Sequence, residues 1–154
     1  MDASIPTVNE LKGTAGRILA VDFGDTRTGL AVSDPSRFLA SGIGYVSPGG
    51  IEKTADKVAE VAREQRALSI VVGLPKNMDG STGPRAQRCL EFADLLRQRL
   101  PDATVVMMDE RLTTVSASRY LNETNTRGSK RRGVIDTLSA QIILQNALDR
   151  LKLL

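Results

Sequence analysis

Three acidic residues stand at positions where their side chains could do chemistry. Asp22 ends the apolar run at residues 18–21, Glu110 follows the apolar run TVVMM, and Asp136 lies near the start of the helical segment GVIDTLSAQIILQNAL. Each also has an ordinary structural explanation. Asp22 can form a turn, Asp109 and Glu110 together can form an exposed turn, and Asp136 can be a first-turn acid that the helix dipole favours.

These acids would have a common chemical use if the fold brought them to one edge of a sheet. Carboxylates that lie close together repel one another unless cations occupy the space between them. Two divalent ions about 3.5–4 Å apart can activate a water molecule and stabilise the leaving oxygen of a phosphodiester. The acids therefore indicate a metal-dependent phosphodiesterase, provided that they converge.

Composition narrows the possible chemistry further. The 154 residues include no histidine and one cysteine, Cys89, which excludes nucleophile–histidine pairs and the usual zinc sites. Hydrolysis would have to depend on carboxylates and a hard cation, Mg²⁺ or Mn²⁺. Cys89 lies in the helical pattern QRCLEFADLL and is expected to be a core residue. With no disulfide and no stretch of about 18 apolar residues, a cytoplasmic protein without a membrane segment is expected.

Positive charge is concentrated in one segment. The net charge is only +3, yet six basic residues and a single acid, Glu123, fall between Arg111 and Arg132. The stretch TNTRGSKRRG could neutralise phosphates as a strand-gripping loop, or it could be a solvated basic turn without a partner. Two tyrosines, three phenylalanines and no tryptophan make a base-stacking platform improbable, so contacts to the nucleic-acid backbone are expected.

The elements that must position these residues follow from hydrophobic periodicity. Residues 1–16 are expected to form a flexible leader and residues 17–154 a single domain. The pattern predicts strands at residues 18–21, 28–32, 38–46, 69–73 and 104–108. It predicts helices at residues 51–66, 84–100, 113–121 and 134–151, with a polar basic loop at residues 122–133.

This order predicts an α/β fold with a five-stranded mixed sheet flanked by helices. The first three strands should be antiparallel, and the last two, which are reached through helices, should be parallel. Sites in such sheets lie outside the carboxyl ends of the parallel strands. Asp22 and Glu110 are both expected there, and the small apolar stripe of Ala140, Ile143 and Ala147 should bring Asp136 towards the sheet.

The chain also carries a family pattern. The motifs AVDFGDTRTGLAVSD, VVGLPKNMDGSTGPRA, MDERLTT and DTLSAQIILQNAL, in this order and spacing, resemble the YqgF/RuvX family. This ribonuclease H-like group is described as candidate Holliday junction resolvases and as pre-16S rRNA nucleases. The similarity covers residues 17–151. It implies a ribonuclease H-like fold and a divalent-metal nuclease in which Asp22 contacts both ions, while Glu110 and Asp136 hold one each.

Several other polar residues are candidates for contacting the phosphodiester backbone or ordered water. They follow the fourth strand, flank Glu110 or belong to the basic segment: Lys76, Asn77, Arg111, Thr113, Thr114, Arg127, Lys130, Arg131 and Arg132.

The sequence leaves several functions open. Processing of pre-16S rRNA is favoured by the resemblance and can be done by a monomer, whereas resolution of a four-way DNA junction requires two active sites and hence a homodimer. A non-catalytic RNA- or ribosome-binding module would use the acids only for metal-assisted stability. The segment DFGDTRTG also resembles the phosphate-binding hairpin of actin-like ATP-binding folds, but 154 residues leave no room for the second lobe of such a fold.

Overall fold

The computed structural model describes residues 5–47, 49–112 and 129–154. The strands are β1 (Ile18–Asp22), β2 (Thr28–Ser33), β3 (Ala40–Val46), β4 (Ser69–Leu74) and β5 (Thr104–Asp109). The α-helices of the described residues are α1 (Ile51–Gln65), α2 (Pro84–Arg99) and α3 (Ser129–Lys152), and short 3₁₀ helices span Val8–Leu11 and Glu110–Leu112. The predicted helix at residues 113–121 and most of the predicted loop that follows it lie outside the described residues.

The sheet has the predicted mixed arrangement. Its strand order is β3-β2-β1-β4-β5, with β1–β2 and β2–β3 antiparallel and with β1–β4 and β4–β5 parallel. Every residue of β1, β2 and β4 is buried, as expected for short apolar runs without polar alternation, which are typical of strands covered on both faces. The predicted five-stranded sheet is therefore confirmed.

Alternation along the strands divides the core between the two faces of the sheet. Leu19 and Val21 of β1 belong to the cluster that includes α1 and α2, whereas Ile18 and Ala20 belong to the cluster that includes α3. Side chains two residues apart share a face of a strand. Asp22 therefore continues the set of Ile18 and Ala20, on the face that α3 covers.

Helix α3 begins earlier than the sequence predicts. It starts at Ser129 rather than at residue 134, so the last five residues of the predicted basic loop are helical. The predicted loop ended at Gly133. In the fold the Tyr45 ring occupies the space where a side chain of Gly133 would be, so packing favours glycine inside this helix despite its low helix propensity.

The longer helix changes the interpretation of Asp136. This residue lies seven positions after Ser129, about two helical turns from the start. The helix-dipole effect acts within the first turn, so the explanation of Asp136 as a first-turn acid is wrong.

The segment before β1 is packed against the sheet where the structure describes it, from residue 5 onwards. Thr7 forms a parallel bridge with Met107, and Val8 and Leu11 are 2% and 0% exposed. Their three-residue spacing places both on the same side of a 3₁₀ helix, which covers the core next to α3. The prediction of a flexible leader at residues 1–16 did not take the spacing of Val8 and Leu11 into account.

Two compositional expectations can be compared with the structure. Cys89 is buried among the core residues of α2, as predicted. Among the described residues, no helix is both long and apolar enough to cross a membrane.

The close packing of α3 on β2 leads to a first prediction. A Cβ atom at Gly29 would collide with the backbone carbonyl of Asp136, and backbone cannot move aside as a flexible side chain can. Gly29→Ala should therefore lower the free energy of unfolding by about 1–3 kcal/mol, the usual cost of overpacking, although alanine is the better strand residue. Denaturant unfolding measures this difference.

Gly83→Ala is a matched control, because the nearest atom to its added Cβ would be Nδ2 of the Asn77 side chain at 3.4 Å. Gly83→Ala should lower the free energy of unfolding by clearly less than Gly29→Ala does. Equal losses for the two variants would contradict the account of how α3 packs.

Candidate active site

Asp22 is a buried carboxylate at the carboxyl end of the central strand. Asp22 is 5% exposed to solvent. It pairs with Gly29 of β2 in the antiparallel ladder. On its other side, the parallel register pairs Val21 with Val72, so Asp22 lies beside Gly73 of β4. Both neighbours of Asp22 within the sheet are thus glycines, which leave the space above them to other groups.

Glu110 reaches the same place from the opposite side. It follows β5 directly, begins the 3₁₀ helix Glu110–Leu112 and is 3% exposed. A Cβ atom at Gly73 would lie 2.7 Å from its Oε2 and 2.8 Å from Cδ1 of Ile143 on α3. The carboxylate of Glu110 therefore fills the space over Gly73 on the α3 face. Since neighbouring strands are about 4.8 Å apart, the structure brings Glu110 and Asp22 together.

Asp136 approaches this edge from α3, but its carboxylate is turned to an arginine. Its backbone carbonyl packs against Gly29, the strand partner of Asp22. Its Oδ2 accepts a hydrogen bond from Nε of Arg27 at 2.7 Å, and the two side chains are only 17% and 15% exposed. The third predicted acid is therefore at the predicted edge, held in a largely buried ion pair.

The oxygen ligands of this site suit a divalent cation in chemical type. Asp22 and Glu110 offer the carboxylate oxygens that Mg²⁺ and Mn²⁺ prefer. Within the ranges that the structure describes, however, no three acidic or thiol side chains are grouped closely enough to hold a metal ion. Asp22 and Glu110 are suitable ligands for a cation. Asp136 is bonded to Arg27 and so does not act as a third carboxylate ligand beside them.

Arg27 is the residue at this site that the sequence reasoning missed. It lies in the β1–β2 turn, where its carbonyl packs against Gly24. A basic residue in a predicted turn directly after Asp22 was a usable signal, because that turn had to lie at the carboxyl end of β1. Its partner could not be found in the same way, since Asp136 is 109 residues away in the chain.

A second ion pair lies next to Glu110. The side chain of Arg111 donates to Asp109 through Nε at 3.1 Å and through Nη2 at 2.7 Å, and its backbone N–H donates at 2.9 Å. Partial burial opposes ionisation of Asp109, but these bonds outweigh it and hold the pKa of Asp109 below its usual value. Asp109 in turn raises the pKa of Arg111. Arg111 is thus oriented by its neighbour.

The loop after β4 lies beside this ion pair. Arg111 also donates from Nη1 to the carbonyl of Met78 at 3.3 Å, and Lys76 is close enough to Asp109 to help lower its pKa. The side-chain amide of Asn77 donates to Ser81 Oγ at 3.0 Å, so it is engaged within its own loop. Of the predicted backbone contacts, Lys76 and Arg111 therefore lie beside Asp109, the residue that precedes Glu110.

The remaining predicted contacts fall in or near the segment that the structure leaves out. Thr113, Thr114 and Arg127 lie outside the described residues, and Lys130, Arg131 and Arg132 lie in the first turn of α3.

The Asp109–Arg111 pair gives a prediction about pH. Because the pKa of Asp109 is lowered on folding from its ordinary value of 3.8, its stabilising effect is present above that value and is lost as the pH falls through the lower folded pKa. The difference in unfolding free energy between the wild type and Asp109→Asn should be constant above about pH 5 and should shrink at more acidic pH. Urea unfolding at a series of pH values measures it.

Asp94→Asn is the matched control for this series. Asp94 pairs with Arg97 at 2.7 Å, but its side chain is 69% exposed, so its removal should cost little at any pH. A difference for Asp109→Asn that grows as the pH falls would contradict the assigned direction.

Comparison with solved structures identifies the fold. RuvC of T. thermophilus in complex with a Holliday junction substrate matches with a TM-score of 0.53 at 14% sequence identity, over 88% of this chain and 95% of that one. A second RuvC structure, from Thermus thermophilus, matches with a TM-score of 0.50 at 13% identity, over 88% of this chain and 96% of that one. The chain has the ribonuclease H-like fold that its strand order and motifs predict.

Sequence relatives are closer. A protein of Acetivibrio thermocellus is 40% identical over 134 residues, which cover 86% of this chain and 95% of that protein. A protein of Ruminiclostridium cellulolyticum is 42% identical over 136 residues, covering 88% and 95%. Both carry the name "Putative pre-16S rRNA nuclease". The model of the RuvX family, described as Holliday junction resolvase, matches residues 16–150. This chain therefore belongs to the RuvX family.

Proposed function

We propose that this protein is a divalent-metal-dependent nuclease that acts in the 5′ maturation of pre-16S rRNA. The observation that carries the proposal is the pair of buried carboxylates at the carboxyl ends of parallel strands, Asp22 beside Gly73 and Glu110 over it. Burying carboxylates is costly unless a cation or hydrogen bonds compensate for it. A hydrolytic site gives such an arrangement a use.

The chain's own residues divide the work in this proposal. Asp22 and Glu110 hold the cation, and Asp136 supplies the third carboxylate. A bound Mg²⁺ or Mn²⁺, or a pair of such ions, would activate the attacking water and stabilise the leaving oxygen. Lys76 and Arg111 lie beside Asp109, the residue before Glu110, and would contact the phosphates that flank the cleaved bond. The basic stretch TNTRGSKRRG would grip the strand further away, mainly through charge.

The choice of RNA rests on the relatives that share about two fifths of their residues with this chain and carry a pre-16S rRNA nuclease name. The description of the family as Holliday junction resolvase favours a second candidate, cleavage of four-way DNA. That reaction needs two active sites facing symmetric strands, so it would require a homodimer, whereas a monomer can trim rRNA.

A cleavage assay with a matched pair of variants tests the proposal. Asp22→Asn removes the buried carboxylate at the end of β1, while Asp25→Asn removes an acid from the turn that follows, whose side chain is 78% exposed. With Mg²⁺ or Mn²⁺, the wild type and Asp25→Asn should cut a pre-16S rRNA fragment. Asp22→Asn should be at least about 100-fold slower, because metal-ion stabilisation of the transition state is worth several kcal/mol. Chelator should abolish cutting by all three proteins.

The same proteins should be assayed on a four-way DNA junction, with binding to both substrates measured in parallel. Faster cutting of the RNA supports rRNA maturation, and faster cutting of the junction supports the resolvase alternative. Full activity of Asp22→Asn would contradict the assignment of the site. Binding without cutting by the wild type would instead indicate a non-catalytic RNA- or ribosome-binding module.

A further inference from the structure

The ion pair between Arg27 and Asp136 joins two parts of the candidate active site. Arg27 comes from the β1–β2 turn and Asp136 from the second turn of α3. Their side chains are 15% and 17% exposed, and Nε lies 2.7 Å from Oδ2. Removing one partner from such a pair leaves a poorly solvated charge behind, so each residue depends on the other.

The position of the pair places Arg27 in competition with a cation. Asp136 packs through its backbone against Gly29, the strand partner of Asp22, so the helix turn that carries its carboxylate lies next to the strand pair that carries Asp22. A divalent ion held by Asp22 and Glu110 would attract the carboxylate of Asp136 and repel the guanidinium of Arg27. The ion and the guanidinium repel each other, so placing both beside the one carboxylate of Asp136 costs electrostatic free energy.

The chemistry of arginine limits how the pair can open. A guanidinium stays protonated at any physiological pH, so proton loss from Arg27 cannot release Asp136. A competing positive charge can, because it offers the carboxylate a stronger partner. The choice of arginine at this position therefore favours exchange with a cation over control by pH.

We propose that Arg27 is a positioning residue that holds Asp136 in the metal-free protein and gives it up when a divalent cation binds at Asp22 and Glu110. This inference rests on the proposed function, because it assumes that the acids bind a metal. Among the described residues no three acids are grouped as a metal site, and the carboxylate of Asp136 is instead bonded to Arg27. Arg27 takes the place of the cation at the third acid.

Mn²⁺ binding measured by titration calorimetry tests this exchange without any nuclease assay. Arg27→Gln removes the competing charge, so it should bind Mn²⁺ at least about fivefold more tightly than the wild type, the lower end of typical couplings between sites. Arg27→Lys keeps a positive charge and should lie between the two. Arg88→Gln is the matched control, since Arg88 contacts Asp25 of the same turn at 3.5 Å with a side chain that is 45% exposed, and it should bind as the wild type does.

Thermal unfolding provides a second measurement. Without metal, Arg27→Gln should melt below the wild type, because Asp136 loses its partner, and Mn²⁺ should raise its melting temperature by more than it raises that of the wild type. Circular dichroism establishes that the variant folds, and Arg27→Lys carries the affinity test if it does not.

The Asp136→Asn background identifies the residue through which Arg27 acts. In that background, Arg27→Gln should no longer change the affinity for Mn²⁺. Unchanged or weaker binding by Arg27→Gln in the otherwise wild-type protein, tightening that persists in Asp136→Asn, or no Mn²⁺ binding by any variant would each overturn the exchange. Tighter binding by a protein that cuts neither substrate would uphold the exchange while the proposed nuclease function fails.

Discussion

The site depends on how closely helix α3 approaches the sheet. At Gly29 the helix backbone takes the space of a side chain, and at Gly42 the Cγ2 atom of Thr137 would lie 2.6 Å from an added Cβ. At Gly73 the side chains of Glu110 and Ile143 occupy the space that an added Cβ would take. Three strands therefore carry glycine on the face that α3 covers, and this close packing brings the backbone of Asp136 against Gly29, the strand partner of Asp22. Larger residues at these positions would move Asp136 away from the edge where Asp22 and Glu110 lie.

Charge at the end of the sheet follows from this packing. Asp22 and Glu110 are 5% and 3% exposed, in a protein whose remaining core is almost wholly apolar. Burying a carboxylate removes it from water, so such groups are kept in a core together with compensating partners and mainly at functional sites. Each neighbouring arginine is held by an acid: Arg111 is oriented by Asp109 and Arg27 by Asp136. The site therefore has a fixed arrangement of charge before any substrate arrives.

Much of this arrangement could be predicted because it depends on local patterns. The apolar runs and the helices between them were enough for the number and the directions of the strands, and the ends of those runs placed Asp22 and Glu110 at one edge. The start of α3 could not be predicted, because a basic stretch ending in Gly133 looks like a loop until Tyr45 is known to pack there. The partner of Arg27 was equally hidden. Ion pairs between distant segments leave no periodic trace in a sequence.

Diffraction from crystals grown with Mn²⁺, with anomalous data collected at the manganese absorption edge, tests the central claim most directly. The account predicts an anomalous peak bound by Asp22 and Glu110, with the carboxylate of Asp136 joined to it and the guanidinium of Arg27 withdrawn. A protein that binds no manganese between Asp22 and Glu110 would contradict the metal site. Manganese bound there with Arg27 still on Asp136 would contradict the exchange.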